Sequence, residues 1–129
     1  MHTIEHDIER PDRSIVDAFE EVPSTIVSDV TGNVGLTMDA GMKPAGDGVE
    51  MAGSAVTVKA APGDNLIIHK AITMAEPGDV LVIDCDGYTD VGHVGELMCG
   101  TCKANGLAGL VIDGGYRDSR ELAEMDFPV

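Results

Sequence analysis

The chain has no Trp and only two Tyr and two Phe among its 129 residues. An aromatic-built core is therefore excluded, and Val, Ile, Leu, Met and Ala must fill the interior. Basic residues are equally scarce: eight Lys plus Arg stand against 23 Asp plus Glu, for a net charge of −15. A surface this negative repels phosphate backbones and anionic lipid headgroups, which excludes direct nucleic-acid binding and disfavours membrane surfaces. No apolar run approaches the length of a membrane span, and the opening residues Met1 to Arg13 are polar and acid-rich rather than leader-like. A soluble cytoplasmic protein is the expectation. Linkers, internal repeats and low-complexity segments are lacking, as is a glycine-rich loop suited to S-adenosylmethionine. Charge of one sign at this density also implies self-repulsion unless salt screens it, since the Debye length falls to roughly 3 Å at molar ionic strength. A saline cytosol fits that balance; an acidic mesophilic oligomer is the alternative.

What is present reads as one globular domain: 43% hydrophobic and 24% charged residues, with sixteen Gly that mark many tight turns. Residues 1–13 read as a flexible acidic arm and 14–129 as the domain. Ile15, Val16, Ala18 and Phe19 have helical spacing over Ser14–Glu21, and Ser24 is placed to cap a second short helix that runs to about Thr31. Residues 32–48, rich in Gly and polar residues, read as a long loop. Ala55-Val56-Thr57-Val58 is a strand, Asp64 an N-cap for a helix over Asn65–Met74, and Val80 to Asp84 a continuous apolar strand of the kind covered on both faces. Glu96–Asn105 is a helix closed by Gly106, Gly109–Asp113 a further buried strand, and Arg117 or Asp118 opens a last helix to about Met125. Strands and helices alternate, so the fold class is α/β with a partly parallel sheet. Phe127-Pro128-Val129 looks like the start of another strand whose groups lack partners, and the expectation is a chain incomplete at this end.

Two segments are suited to chemistry. Gly95-Glu96-Leu97-Met98 opens a helix, where unbonded N–H groups favour an anion such as a carboxylate; a plain helix start with Glu in its first turn is the structural alternative. In Asp113-Gly114-Gly115-Tyr116-Arg117-Asp118, the paired glycines allow a sharp turn and close approach to a ligand. Arg117 offers a planar fork for a carboxylate, and Asp118 a hard oxygen ligand for Mg²⁺ or Mn²⁺. Alternatively, Asp118 caps the following helix and Arg117 pairs with an acid. Both segments lie at strand-to-helix transitions, and a guanidinium beside a cation-binding carboxylate suits a 2-oxo acid.

Other residues read as structural. Cys99-Gly100-Thr101-Cys102 has the spacing of a redox pair, but its first Cys lies one turn inside the helix, where small residues pack against a sheet. A zinc site from Cys85, His93, Cys99 and Cys102 lacks the usual two-pair spacing. His69 reads as half-buried on a helical face; His93, just before the anion-binding turn, is a candidate to touch substrate. Tyr116 either shapes the pocket or packs.

Taken together, Gly95-Glu96-Leu97, the run from Gly106 to Gly114 and Arg117-Asp118-Ser119-Arg120-Glu121 resemble the RraA-like proteins. That family includes the class II 4-hydroxy-4-methyl-2-oxoglutarate aldolases and the regulators of ribonuclease E activity. Its pattern of an acid, twenty positions, Arg-Asp, two positions and an acid runs here through Glu96, Arg117-Asp118 and Glu121, with Glu96 where Asp is usual. Pro77 to Val82 and Phe127-Pro128-Val129 look alike as well, so the resemblance spans about residues 14–129. It implies a layered β/β/α sandwich of the swivelling-domain type, assembled as a trimer or hexamer with sites between subunits. It implies a metal-dependent carbon–carbon lyase, an aldolase or oxaloacetate decarboxylase that works through pyruvate enolate. On that resemblance Asp118 holds Mg²⁺ or Mn²⁺ largely through its waters, and Arg117 binds the substrate carboxylate and stabilises the enolate. Residues 95–98 grip the pyruvoyl carboxylate through backbone N–H groups, and Glu96 orients a metal-bound water that shuttles the proton. The aldolases of the family draw a further acid from a later segment across a subunit interface, and this chain ends before it. A non-catalytic protein that binds an RNA-degrading endonuclease is therefore the alternative.

Overall fold

A computed structural model describes residues 3–32, 37–47 and 50–129. Among these residues, five helices and three strands follow one another as α1 (Arg13–Glu20), α2 (Ser24–Val30), β1 (Ser54–Lys59), α3 (Leu66–Ile72), β2 (Asp79–Tyr88), α4 (Glu96–Ala104), β3 (Gly109–Gly114) and α5 (Ser119–Glu124). The strands form one parallel sheet in the order β1-β2-β3, with Val56 opposite Leu81 and Leu81 opposite Leu110. Parallel neighbours need crossovers, and α3 and α4 supply them. The α/β class and the parallel pairing hold. Among the described residues there is one sheet, so of the implied β/β/α layers one β layer and one α layer are in view.

Alternation fixes which face of the sheet is inside. Val56 and Val58 of β1, Leu81, Ile83 and Cys85 of β2, and Leu110 and Ile112 of β3 are all buried, and they meet Ile68 and Ile72 of α3 and Met98, Cys99 and Cys102 of α4. Each such aliphatic side chain gains about 1.5–3 kcal/mol from burial. A slip of one residue would put Thr57 and Lys59 inside, so the register is tightly specified. The opposite face is more open. Ala55 and Thr57 are exposed, Val82 and Val111 half-buried, and a groove of about 860 Å³ separates Val80 and Val82 from Ile15 and Phe19 of α1. The run at Val80 to Asp84 is thus fully covered on one face only.

Several boundaries moved by a residue or two. Ser24 is the first residue of α2 rather than its cap, and Pro23 takes that position. Asn65 takes the N-cap position of α3 without a side-chain cap bond, and Asp64, one residue earlier, supplies the capping contact by accepting the Leu66 N–H at its Oδ1 at 2.9 Å. Gly106 ends α4 with a left-handed φ of 77°, as its position after the helix suggested. Of the loop expected over 32–48, residues 33–36 and 48 lie outside the described residues. His69 is exposed, not half-buried. Phe127-Pro128-Val129 is well partnered: Phe127 is buried, Pro128 O accepts the Leu110 N–H at 2.9 Å, and Val129 O accepts the Ala45 N–H at 2.8 Å. Within the acidic arm, Arg10 reaches the buried carboxylate of Asp79 at 2.7 Å and 3.0 Å, and Ile8 packs against the core.

Candidate active site

The carboxyl ends of parallel strands, where helix N-termini face outward, are the usual ligand end of an open α/β sheet. Here β2 and β3 continue past their regular pairing as two zipped loops. The Gly115 N–H donates to Tyr88 O at 2.9 Å, the His93 N–H to Gly115 O at 2.9 Å, and the Arg117 N–H to Val94 O at 3.0 Å. Residues 93–96, which open α4, and 115–118, which open α5, therefore run side by side.

Arg117 and Asp118 lie directly over that turn. A Cβ placed on Gly92 would fall 2.8 Å from Arg117 Cβ, and one on Gly95 would fall 2.8 Å from Arg117 Cγ and collide with Asp118 Oδ2. The two glycines are thus the seat of the Arg-Asp pair. Gly92 was not singled out from the sequence; its signal is the Gly92-x-x-Gly95 spacing ahead of a helix. Asp118 adopts φ 60° and ψ 42°, one of two left-handed non-glycine residues among those described. That conformation costs a non-glycine residue roughly 1–2 kcal/mol, and it turns the carboxylate back towards α4. Its Oδ2 accepts the Glu96 N–H at 3.0 Å and lies 3.8 Å from Arg117 Nε. Asp118 occupies the N-cap position of α5, yet its side chain caps α4, where Gly95 has no side chain to do so. Negative charge at that helix end is favoured by the α4 dipole as well.

The remaining expected residues divide. Glu96 belongs to the site, with its side chain exposed in the first turn of α4. Its N–H is engaged by Asp118, so of the N–H groups expected to grip an anion, those of Leu97 and Met98 remain without an intrahelical partner; the next N–H, of Cys99, already bonds Gly95 O. Leu97 is exposed and the Met98 side chain is buried. The glycine pair at 114–115 serves packing rather than ligand approach. A Cβ on Gly114 would meet Cys85 Cβ at 2.8 Å, one on Gly115 would strike Val91 O, and neither glycine is left-handed. His93 is 2% exposed, which removes it as a substrate contact. Tyr116 is part-exposed and its backbone bridges to Val94.

The cysteines are core. Cys85, Cys99 and Cys102 are free and buried, and burial pushes the Cys99 thiol up to about 12 and Cys102 up to about 11. Thiols held neutral are poor nucleophiles and poor metal ligands. No group of three or more His, Cys, Asp or Glu among the described residues is placed to share a metal ion, which removes the zinc arrangement. The site itself is open: the Arg117 side chain is 68% exposed and that of Asp118 38%.

Comparison with known proteins gives this geometry its context. The chain is 39% identical over 112 residues to a candidate 4-hydroxy-4-methyl-2-oxoglutarate aldolase of Halalkalibacterium halodurans, covering 86% of this chain and 52% of that protein. Among solved structures it resembles the RNA-processing inhibitor RraA of Thermus thermophilus, with 27% identity, a TM-score of 0.74, and 84% of this chain covering 65% of that one. It also resembles a Geobacillus kaustophilus protein described as an S-adenosylmethionine: 2-dimethylmenaquinone methyltransferase, with 27% identity, a TM-score of 0.76, and 84% of this chain covering 66% of that one. The chain thus spans about half the length of the curated relative it matches. The RraA-like family model, described as Aldolase/RraA, matches residues 14–129 and so includes every residue of the site, and the chain belongs to that family.

Proposed function

We propose that the site at residues 93–118 acts on 2-oxo acids as a divalent-metal-dependent carbon–carbon lyase, cleaving 4-hydroxy-4-methyl-2-oxoglutarate, oxaloacetate or both through pyruvate enolate. The observation that supports this reading is the meeting of the Arg117 guanidinium, the Asp118 carboxylate and the open amino end of α4 at one sheet edge. The relative named for that aldol cleavage supports it independently.

The donor chemistry fits a hard, largely hydrated cation. Asp118 spends Oδ2 on the Glu96 N–H and has Oδ1 free of hydrogen bonds among the described residues. Mg²⁺ and Mn²⁺ commonly take one or two carboxylates and keep several waters. Asp118 would hold such an ion, which when bound supplies Lewis-acid stabilisation of negative charge on the 2-oxo group.

The chain's own residues account for the rest. The Leu97 and Met98 N–H groups and the α4 dipole hold the substrate's 1-carboxylate. Cleavage of the C3–C4 bond leaves its electron pair on C3, delocalised onto the 2-oxo oxygen as enolate, and Arg117 stabilises the charge that develops there. In the retro-aldol cleavage the 4-hydroxyl proton must leave as the second keto acid forms, and C3 of the enolate must gain one to become pyruvate; Glu96 is assigned as the group that orients the water relaying it. Loss of carbon dioxide from oxaloacetate yields the same enolate without that proton, so one site serves both substrates. Three or six copies are the matching assembly.

The test is pyruvate release from each substrate with Mn²⁺, with EDTA and in Arg117→Ala. Turnover with Mn²⁺, its loss in EDTA and a drop in kcat/KM of at least about a hundredfold in the variant, roughly 3 kcal/mol of transition-state stabilisation, are expected. Pyruvate release that is unchanged in Arg117→Ala overturns the assignment. The openness of the site and the likeness to an RNA-processing inhibitor favour a second reading, in which this acidic surface binds a basic protein partner. Absence of turnover with either substrate, together with salt-sensitive capture of an RNA-degrading endonuclease, would select it.

A further inference from the structure

We infer that His93 is the positioning residue of the site, a buried imidazole that locks the turn carrying Gly95 and Glu96 to the loops that follow the other two strands. The inference rests on the proposed reading of that turn as the carboxylate grip. His93 is 2% exposed, so it touches no substrate. Its Nε2 accepts the N–H of Gly63 at 3.0 Å, in the turn between β1 and α3. A ring nitrogen that accepts an N–H carries no proton of its own, so the ring is the neutral tautomer with its proton on Nδ1.

The same residue's main chain faces the other way. The His93 N–H donates to Gly115 O, and its neighbour Val94 accepts from Arg117. One residue thus joins the loops after β1, β2 and β3. Tyr88 holds the ring edge-on, with centroids 6.1 Å apart and planes at 76°. Two residues further on, Gly95 is the seat of Arg117 and Asp118, and the Glu96 N–H is bonded by Asp118. A tilt of the ring would move that seat.

Nδ1 is buried with no hydrogen-bond partner among the described residues. An unsatisfied buried donor is unfavourable to folding, and Leu or Met in that space would avoid it. What an apolar side chain cannot supply there is the bond to Gly63, so the polar atom is accounted for by the loop it holds. Gly63 itself is left-handed, with φ +79°, and has open space where a Cβ would project. The Asp64 N–H to Ala61 O bond at 3.0 Å closes the turn itself, and the imidazole ties the closed turn to the loop after β2.

Three variants test this. His93→Leu removes the acceptor, His93→Asn is too short to reach Gly63, and His93→Gln places a carbonyl oxygen where Nε2 lies. Per folded molecule, His93→Leu and His93→Asn should lose about tenfold to a hundredfold in kcat/KM, chiefly through KM, since small misplacements of binding groups have effects of that size. His93→Gln should recover to within about threefold. A structural role alone would lower the melting temperature equally in all three and leave KM alone, which would overturn the inference, as would His93→Gln behaving like His93→Asn. Should the wild-type protein show no lyase turnover, amide exchange decides the matter separately. Protection at Glu96 and Arg117 is expected to fall in His93→Asn and return in His93→Gln, and protection that is unaltered in His93→Asn refutes the positioning role whatever the activity. Should His93→Leu not fold, the Asn and Gln variants carry the comparison unchanged.

Discussion

Gly95 and Gly100 belong to the same turn and helix, yet they have opposite reasons to be glycine. At Gly95 an added Cβ would run into Asp118 Oδ2 and Arg117 Cγ; at Gly100, inside α4, it would meet nothing within 4 Å. Gly95→Ala should therefore displace the Arg-Asp pair and lower kcat/KM by at least about tenfold, an effect of the order seen when binding groups are misplaced. Gly100→Ala should stabilise the protein by about 0.5–1 kcal/mol, because alanine restricts the unfolded chain and favours the helix. Paired thermal melts and pyruvate assays check both. A Gly95→Ala protein with wild-type turnover would show that the seat tolerates a methyl group. That the Arg117-Asp118 pair and the 95–98 turn lie at strand-to-helix boundaries was legible in the residues; that the two belong to one site came only from the spaced motif's resemblance to a family. The roles of Gly114 and Gly115 were not legible, since whether a glycine faces a ligand or Cys85 and Val91 depends on neighbours distant in sequence.

At the scale of elements, the runs Val80 to Asp84 and Gly109 to Asp113 were legible as unbroken apolar stretches whose borders Pro77-Gly78 and Gly106 mark, although helices fully cover only one face of the sheet they form. What composition could not reveal is how the acidic arm is held. Pro77-Gly78-Asp79 reads as a surface turn, yet Asp79 is 2% exposed, and its carboxylate accepts three side-chain bonds from Arg10, two from Nε and one from Nη2, and the Glu76 N–H at 2.8 Å. The partner of a buried carboxylate lies 69 positions away, and no local pattern announces such a pair. Arg10→Ala leaves that charge buried with the Glu76 N–H as its donor among the described residues, and removing one member of such a pair costs about 3–5 kcal/mol. Because Arg10 is itself partly exposed, the lower end of that range is expected, measured by chemical denaturation. Arg10→Lys should recover only part of it, since an ammonium cannot reproduce the two-pronged contact. A loss under about 0.5 kcal/mol in Arg10→Ala, the size typical of a surface substitution, would mean that the arm is not anchored through this pair.

At the scale of the molecule, charge decides the conditions under which the fold is comfortable. Among the described residues, six of the eight basic side chains pair with acids: Arg10 with Asp79 and Glu76, Arg13 with Asp17 and Glu20, Lys59 with Asp84 and Asp86, Lys103 with Asp126, Arg117 with Asp118, and Arg120 with Glu124. With 23 acids in all, most of the remainder repel one another across the surface. Repulsion of that kind reaches about 10 Å at 0.1 M salt and roughly 3 Å at 1 M. We propose that the protein is adapted to a saline interior, and its melting temperature should rise steadily from 0.1 to 2 M KCl. Salt also strengthens apolar burial, so the rise alone does not identify its cause. A variant carrying Glu9→Gln, Glu21→Gln, Glu50→Gln and Asp90→Asn, all at exposed positions, separates the two effects. Screening requires the variant to melt higher than the parent in dilute buffer and to gain less from added KCl. Apolar burial, which these positions do not alter, requires parallel salt curves; parallel curves, or a parent most stable in dilute buffer, would end the saline interpretation.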